Sequence, residues 1–197
     1  MGKGASVNES GWIALLGVMC GSYGGTAMDL IVALAISIGV LGGIATWVAL
    51  GPLAGVLQIW AIFIAWACFY HCGGKETGLK NTIVCNIVGA IVAWIALLIV
   101  VKTGLADSMG LPLWAGIVVG VTVIILVLLA KVPAFNPIPA LVYGYASVAA
   151  FALLTGKFDM LTAGSFENAL VAVIVSMVVG AILGYISEKV GVAIAKK

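Results

Sequence analysis

Long apolar runs dominate the pattern of this chain, and each has about the length of a helix that crosses a hydrocarbon core of about 30 Å. None alternates strictly between apolar and polar residues, and each exceeds the roughly ten residues of a membrane β-strand, so every run predicts a helix. The runs are Met28–Ala49, Leu53–Tyr70, Asn81–Val101, Leu111–Ala130, Ile138–Thr155 and Ala169–Ile186. Because backbone groups in lipid must hydrogen-bond within their own segment, the sequence predicts an all-α bundle of six transmembrane helices.

The composition agrees with a lipid environment. Hydrophobic residues make up 64% of the 197 residues and charged residues 8%, whereas a soluble domain carries about 25% charged residues. So few charges cannot cover a water-facing surface, which excludes a soluble globular enzyme and a disordered chain. The net charge of +2 is too small and too scattered to attract nucleic acid. The predicted partner of most of the chain is therefore the lipid bilayer.

The predicted helices define three regions. Residues 1–27 form an N-terminal extension with a short apolar run, Trp12–Cys20, which we interpret as a surface-lying or re-entrant helix. A seventh crossing and a cleaved signal segment are the alternatives for this run. Residues 28–190 form the six-helix domain, and residues 191–197 form a basic tail.

The distribution of lysines predicts the orientation. With six crossings, the N-terminus, the second and fourth loops and the C-terminus share one side of the membrane. That side holds Lys3, Lys75, Lys80, Lys131, Lys189, Lys196 and Lys197, and the other side holds Lys102 and Lys157. Because positively charged loops favour the cytoplasm, both termini are predicted to be cytoplasmic. A seventh crossing would move only the N-terminus.

Short motifs recur in the two halves of the chain, which predicts an internal duplication. The recurring features are Pro52 and Pro139, 87 positions apart, Lys80-Asn81 and Glu167-Asn168, also 87 apart, and the sequence VGAI at 88–91 and 179–182, 91 apart. Because three crossings per half is an odd number, the second half would be inverted in the membrane, as in many transporters. Chance similarity between apolar segments is the alternative.

No charged residue and no histidine lies near the centre of a predicted crossing. Ion-coupled pumps need such a group to couple a gradient, and membrane enzymes need a nucleophile, a general base or a metal, so the sequence argues against both classes. Nothing in the sequence calls for a cofactor. A passive path for a small neutral or weakly polar solute needs only a suitable diameter and a few hydrogen-bonding groups.

Uncharged polar residues in the apolar runs are therefore the candidates for solute contact. An amide in lipid is costly unless it is paired, so Gln58 and Asn86 should face protein or water. Hydrogen bonds between helices are the alternative role for these residues. The full set of candidates for pore or solute contact is Gln58, Asn86, Asn136, Pro137, Pro139, Tyr143, Tyr145 and Ser176.

Three of these candidates belong to a proline-rich segment before the fifth predicted helix. Pro133, Pro137 and Pro139 lack backbone donors, and Asn136-Pro137 is a turn or N-cap signal. A broken or re-entrant helix start would direct free N–H groups inward, toward a polar group of a solute. An ordinary loop before a rigid helix start is the alternative.

Cysteine and histidine residues near the end of the second predicted helix are weak candidates for a metal. Cys68, His71 and Cys72 have the spacing of residues on one helical face, and these ligand types suit a soft metal. The following residues, Gly73–Lys75, offer no fourth ligand. We therefore predict no metal site, and packed thiols with an interfacial histidine explain the spacing.

Glycine spacing predicts close helix packing. Small residues four positions apart let helix backbones approach, within one chain or between copies, so the sequence also predicts a homo-oligomer. The predicted packing pairs are Gly39 and Gly43, Gly116 and Gly120, and Gly180 and Gly184.

Several short motifs resemble those of a known family, the YcdZ-like bacterial inner-membrane proteins, grouped as domain of unknown function 1097. The motifs are GGIATWVA at 42–49, ACFYHCGG at 67–74 and GLK at 78–80 in the first half, with PALVYG at 139–144 and GAILGY at 180–185 in the second. The resemblance covers Ile31–Val190. It implies a small polytopic protein of the bacterial inner membrane and supplies no substrate or catalytic residue.

The sequence thus favours a homo-oligomeric channel or facilitator for a small solute. The polar residues in apolar helices, the prolines before the fifth helix and the missing coupling charges support this hypothesis. The alternative is a structural or accessory membrane subunit without a pore, whose glycine faces would pack against a different protein.

Overall fold

The computed structural model describes residues 28–195, and every regular element in this range is helical. The helices are α1 (Leu30–Leu50), α2 (Ile59–His71), α3 (Lys75–Lys102), α4 (Leu105–Met109), α5 (Leu111–Leu129), α6 (Ile138–Thr155) and α7 (Ala169–Ala195), with short 3-10 turns at Pro133–Phe135 and Phe158–Leu161. The predicted all-α helix bundle is confirmed. The run Trp12–Cys20 lies outside the described residues.

Five of the helices, α1, α3, α5, α6 and α7, are long and apolar enough to cross a membrane. Helix α2 is apolar but has only 13 residues, a length of about 20 Å. It is too short to cross a hydrocarbon core of about 30 Å without the residues that precede it. The chain is therefore an integral membrane protein with five long candidate spans and one shorter apolar helix.

The start of α2 differs from the prediction. Residues 51–56 form turns, and the helix begins at Ile59, six residues after the predicted start at Leu53. Gly55 has a positive φ of 86°, a conformation that interrupts a helix. Pro52 consequently lies in a turn and does not open the helix.

Two other helices are longer than predicted. Helix α3 begins at Lys75 and therefore includes Lys80-Asn81, which we expected to precede it, and α7 continues from the predicted end at Ile186 to Ala195. The added turns carry charged groups, and Lys189 of α7 forms a salt bridge of 3.2 Å with Glu76 of α3. Hydropathy detects only the apolar part of a helix, so it did not predict these polar turns at the ends of α3 and α7.

Helix α2 lies parallel to α7. At its start, the backbone N–H of Gln58 donates to the hydroxyl of Ser176 over 2.8 Å, and near its end the hydroxyls of Tyr70 and Ser187 are 2.8 Å apart. Ser187 also joins α7 to α1, because its carbonyl oxygen accepts a hydrogen bond of 3.0 Å from Ser37. Helices α1, α2 and α7 thus form one packed group.

Helix α3 lies parallel to α6 in the same way. The Cys85 thiol is 4.0 Å from the carbonyl oxygen of Ala134, just before α6, and Trp94 donates to the carbonyl oxygen of Leu161, just after α6. The short turn at residues 72–74 reverses the chain between α2 and α3. Helices α2 and α6 therefore run in opposite directions.

These pairings divide the bundle into two inverted repeats, α1–α2–α3 and α5–α6–α7. A Cβ added at Gly89 would overlap the carbonyl oxygen of Leu141, and one added at Gly180 would overlap the carbonyl oxygen of Ile62. Gly89 and Gly180 are 91 positions apart, whereas Ile62 and Leu141 are 79 apart, as are the starts of α2 and α6. The two copies of the VGAI sequence therefore occupy equivalent positions in the two repeats. The motifs 87 positions apart, Pro52 with Pro139 and Lys80-Asn81 with Glu167-Asn168, do not.

The predicted packing glycines fall into two classes. Gly180 and Gly184 pack inside the protein, against Ile62 and the ring of Phe69. The other four lie where an added Cβ meets no atom within 4 Å, namely Gly39, Gly43, Gly116 and Gly120. Of these six glycines, Gly180 alone brings two helix backbones into contact within the described chain, and Gly184 packs on the side chain of Phe69.

We expect Gly144→Ala and Gly180→Ala to destabilise the protein, because each new Cβ would overlap a backbone carbonyl, of Asn86 or Ile62. Overpacking of this kind costs about 1–3 kcal/mol of unfolding free energy. Gly164→Ala, where an added Cβ meets no atom within 4 Å and the backbone φ is not positive, is the control and should leave stability unchanged or slightly higher. Unfolding in mixed micelles with increasing SDS measures the difference, and equal midpoints for all three variants would contradict the packing.

Candidate functional site

A cavity of about 410 Å³ opens where α1 ends and α2 begins. Its walls are the turns before α2, the first turn of α2, the last turns of α6 and the residues that follow α6. We call this cavity the vestibule. Its lining includes Gln58, Trp60, Phe151, Thr155, Lys157 and Met160.

The bottom of the vestibule is the start of α2, which lies well inside the bundle. The first backbone N–H groups of a helix have no partner within the helix. Here the N–H of Gln58 donates to the buried hydroxyl of Ser176, which itself donates to the carbonyl oxygen of Ala172 over 2.6 Å. Ser176 therefore holds the helix start in place, and the half-buried side chain of Gln58 lines the vestibule.

A layer of small apolar residues closes the bundle below the vestibule. The face of α2 that starts at Gln58 continues with Ala61 and Ala65, both fully buried. Val148 and Ala152 of α6 are also fully buried and belong to the same packed core. We call these four residues the seal, because they lie between Trp60 and Cys68 on α2 and between Ser147 and Thr155 on α6, that is, between the vestibule residues and the polar residues deeper in the bundle.

A group of buried polar residues lies beyond the seal, where α2, α3 and α6 meet. Asn86 is 1% exposed, and its side-chain oxygen accepts a hydrogen bond of 3.6 Å from the Cys68 thiol. Thr82 lies one turn from Asn86 on α3, and Ser147 lies one turn from Gly144, which packs directly on Asn86. We call Cys68, Thr82, Asn86 and Ser147 the polar junction.

Three atoms of the polar junction have no hydrogen-bond partner among the described residues. They are the hydroxyl oxygens of Thr82 and Ser147 and the side-chain nitrogen of Asn86, all fully buried. The Thr82 hydroxyl lies beside the thiols of Cys68 and Cys72, and sulfur is a weak acceptor. A buried polar group without a partner costs about 1–3 kcal/mol. Helix packing gives no reason to bury three such atoms, so a purely structural role leaves them unexplained.

The opposite end of the junction is closed by a contact between α2 and α6. The Nδ1 atom of His71 lies 3.0 Å from the hydroxyl of Tyr143 in a hydrogen bond. The thiols of Cys68 and Cys72 are 4.0 Å apart, but His71 is directed to Tyr143. Across residues 28–195, no three histidine, cysteine or acidic side chains are grouped as metal ligands would be. Cys68, His71 and Cys72 therefore do not converge on one point.

The remaining predicted candidates lie away from the junction. Tyr145 is buried and its hydroxyl is 2.9 Å from that of Thr122, which links α6 to α5. Asn136 and Pro139 are exposed and Pro137 is half-buried at the start of α6, at the same end as His71. The proline-rich segment contains a 3-10 turn, and α6 starts at Ile138 as predicted.

The buried polar side chains share one property. In the part of the chain that the structure describes, all of them are uncharged: Ser37, Thr82, Asn86, Thr122, Ser147, Ser176 and Ser187. The interior can therefore offer hydrogen bonds to a solute but no countercharge to an ion.

Two parts of this site were missed by the sequence reasoning. Thr82 lies next to the charged residues that we placed in a loop and was not predicted, whereas Ser147 is one of the uncharged polar residues that the sequence shows in the fifth predicted helix. Of the vestibule residues only Gln58 was predicted, because apolar lining residues such as Phe151 give no signal in a single sequence. A search for polar residues that share a helical face with Asn86 would have found Thr82.

The fold and site define a polytopic α-helical membrane protein built from two inverted repeats around an uncharged polar junction. The chain belongs to the family described as "Protein of unknown function (DUF1097)", whose model matches residues 35–192. This confirms the resemblance noted in the sequence. Comparisons with curated proteins and with solved structures found no match.

We expect the two buried serines Ser147 and Ser176 to respond differently to the same substitution. Ser147→Ala removes a hydroxyl without a partner in the protein, so the unfolding free energy should stay equal or rise. Ser176→Ala leaves the N–H of Gln58 without its acceptor and should cost about 1–2 kcal/mol. SDS unfolding of both variants checks this, and a larger loss for Ser147→Ala would show that its hydroxyl is satisfied.

Proposed function

We propose that the protein is a passive facilitator for a small, uncharged polar solute. The observation that carries the proposal is the set of unpartnered polar atoms on Thr82, Asn86 and Ser147. Since a dry interface would leave these atoms unsatisfied, water or solute is the partner that the proposal supplies. The alternative, an accessory subunit without a path, gives these three groups no role.

The path runs along the contact between α2, α3 and α6. It begins in the vestibule at Gln58 and passes the seal. It then reaches the polar junction, where a solute coming from the vestibule meets first Ser147, then Asn86 and then Thr82. It leaves between the end of α2 and the start of α6. In the orientation that the lysines predict, the vestibule faces the outside and the Tyr143 end faces the cytoplasm.

The chemistry of the junction limits the solute class. The Asn86 oxygen already accepts the Cys68 thiol, which leaves its N–H groups free to donate, and the two hydroxyls can donate or accept. A neutral solute with at least one acceptor, such as a carbonyl or hydroxyl oxygen, satisfies this set. An ion would lose its hydration without gaining a countercharge, so we propose that ions are excluded.

We expect purified protein in liposomes to raise the permeability to one or more of urea, acetamide and glycerol above that of empty liposomes. Thr82→Val and Ser147→Ala should each lower the initial rate about five-fold, the factor that corresponds to one lost hydrogen bond of about 1 kcal/mol. Stopped-flow light scattering after a solute gradient measures the rate.

The matched control is Ser37→Ala, which changes a buried serine between α1 and α7, away from the path. Its rate, corrected for the amount of folded protein, should equal that of the unchanged protein. A permeability indistinguishable from that of empty liposomes for the whole solute panel would contradict the proposal. So would an equal loss in the control.

We also propose that the protein forms a homo-oligomer through the outer faces of α1 and α5. Gly39, Gly43, Gly116 and Gly120 leave these faces without a neighbour inside one chain. The same faces carry exposed large apolar residues, among them Ile36, Val40 and Ile117. Small residues flanked by apolar ones suit close helix contacts in lipid, where packing replaces the hydrophobic effect as the driving force.

We expect Gly116→Leu combined with Gly120→Leu to shift the purified protein to a smaller assembly in mild detergent, because the leucines would separate the packed backbones. Native mass spectrometry measures the copy number, and the exposed Val121→Leu on the same helix is the control. An unchanged copy number would exclude this face. Stoichiometric recovery of a different chain would favour the accessory-subunit alternative.

A further inference from the structure

The two repeats have equivalent breaks before α2 and α6. Residues 51–58 separate α1 from α2, and residues 130–137 separate α5 from α6, so each break has eight residues. The offset of 79 positions that relates α2 to α6 pairs Gln58 with Pro137, and it pairs Cys72 with Phe151. The residues that line the vestibule in one repeat therefore correspond to residues at the opposite end of the polar junction in the other repeat.

The two ends are in different states in this structure. At the vestibule end, Gln58 and Phe151 line an open cavity. At the other end, the equivalent region is crossed by the hydrogen bond between His71 of the first repeat and Tyr143 of the second. Each break is also held against a neighbouring helix, the first by Gln58 on Ser176 and the second by Ala134 on Cys85. The bond between His71 and Tyr143 is therefore what distinguishes the two ends. One end is thus open and its counterpart is tied.

We infer that the two repeats exchange these arrangements, so that solute crosses by alternating access rather than through a continuous pore. The two repeats are nearly equivalent, and each packs its helices through a glycine contact of the same kind. Either repeat can therefore adopt the open or the tied arrangement at similar free energy. Opening the Tyr143 end closes the vestibule, and the polar junction is exposed to one side at a time. This inference rests on the proposed function, since a transport cycle needs a solute.

The hydrogen bond between His71 and Tyr143 is the lock of the state seen here. It joins α2 to α6 at the closed end only, so its loss favours the opposite state. Loss of one hydrogen bond of about 1 kcal/mol changes a two-state ratio by about five-fold. His71 is exposed and Tyr143 half-buried, so both can be changed with little disturbance of the core.

The test compares two equivalent reporters, Gln58→Cys and Pro137→Cys, each in a protein whose four native cysteines are replaced by serine. Serine keeps a hydrogen-bonding group at positions 68 and 85, where the thiols contact Asn86 and Ala134. The full chain in lipid nanodiscs reacts with a charged, water-soluble maleimide that reaches both faces. Gln58→Cys should react faster than Pro137→Cys. Adding Tyr143→Phe should slow the first reaction and speed the second, each by about two- to five-fold.

The matched control is Tyr145→Phe, which removes a hydroxyl from the same helix but breaks a contact with Thr122 inside the second repeat. It should leave both rates unchanged. His71→Ala removes the lock from its other side and should reproduce the effect of Tyr143→Phe, which covers the case in which Tyr143→Phe folds poorly. Opposite changes of the two rates support alternating access.

Unchanged rates, rates that rise together, or equal effects of Tyr143→Phe and Tyr145→Phe overturn the inference. The labelling needs no solute, so its outcome is separate from that of the permeability measurement. Permeability without opposite labelling changes would leave a passive facilitator that works as a pore. Opposite labelling changes without permeability to any solute of the panel would overturn the proposed function alone.

Discussion

Direct contact between helix backbones at glycine is the interaction on which this structure depends. Lipid offers no hydrophobic force to hold apolar helices together, so they associate through close packing and hydrogen bonds between helices. Gly89 and Gly144 let α3 and α6 cross with their backbones in contact, and Gly180 does the same for α2 and α7. The seal and the polar junction lie beside these crossings, and their positions follow from them.

The same close packing shows how the polar junction differs from an interface that serves only stability. Where backbones meet at glycine, alanine is the side chain that fills the remaining space, as at Ala61 and Ala65. An interface that needed only stability would continue with alanine or serine bonded to its own helix, as Ser176 is. The hydroxyls of Thr82 and Ser147 and the side-chain nitrogen of Asn86 instead have no hydrogen bond within the described protein, and we propose that they contact solute.

The sequence predicted helix α6 with its correct bounds and five other helices with errors only at their ends, because an apolar run records burial in lipid directly. It failed at the start of α2, where the run continues through turns that begin at Gly51 and include Gly55. It paired α3 with α7 through the VGAI sequence, but its pairs 87 positions apart were wrong, since Pro52 and Pro139 are not equivalent. Contacts between distant segments, such as Gln58 with Ser176, cannot be read from one sequence, and Tyr145 therefore could not be separated from Tyr143.

The most direct measurement of the central claim is an experimental density map of the protein in lipid nanodiscs, at a resolution that shows ordered water. Our account requires non-protein density within hydrogen-bonding distance of the Asn86 side-chain nitrogen and of at least one hydroxyl, on Thr82 or Ser147. A dry interface in which these three groups bond to other protein atoms would contradict it.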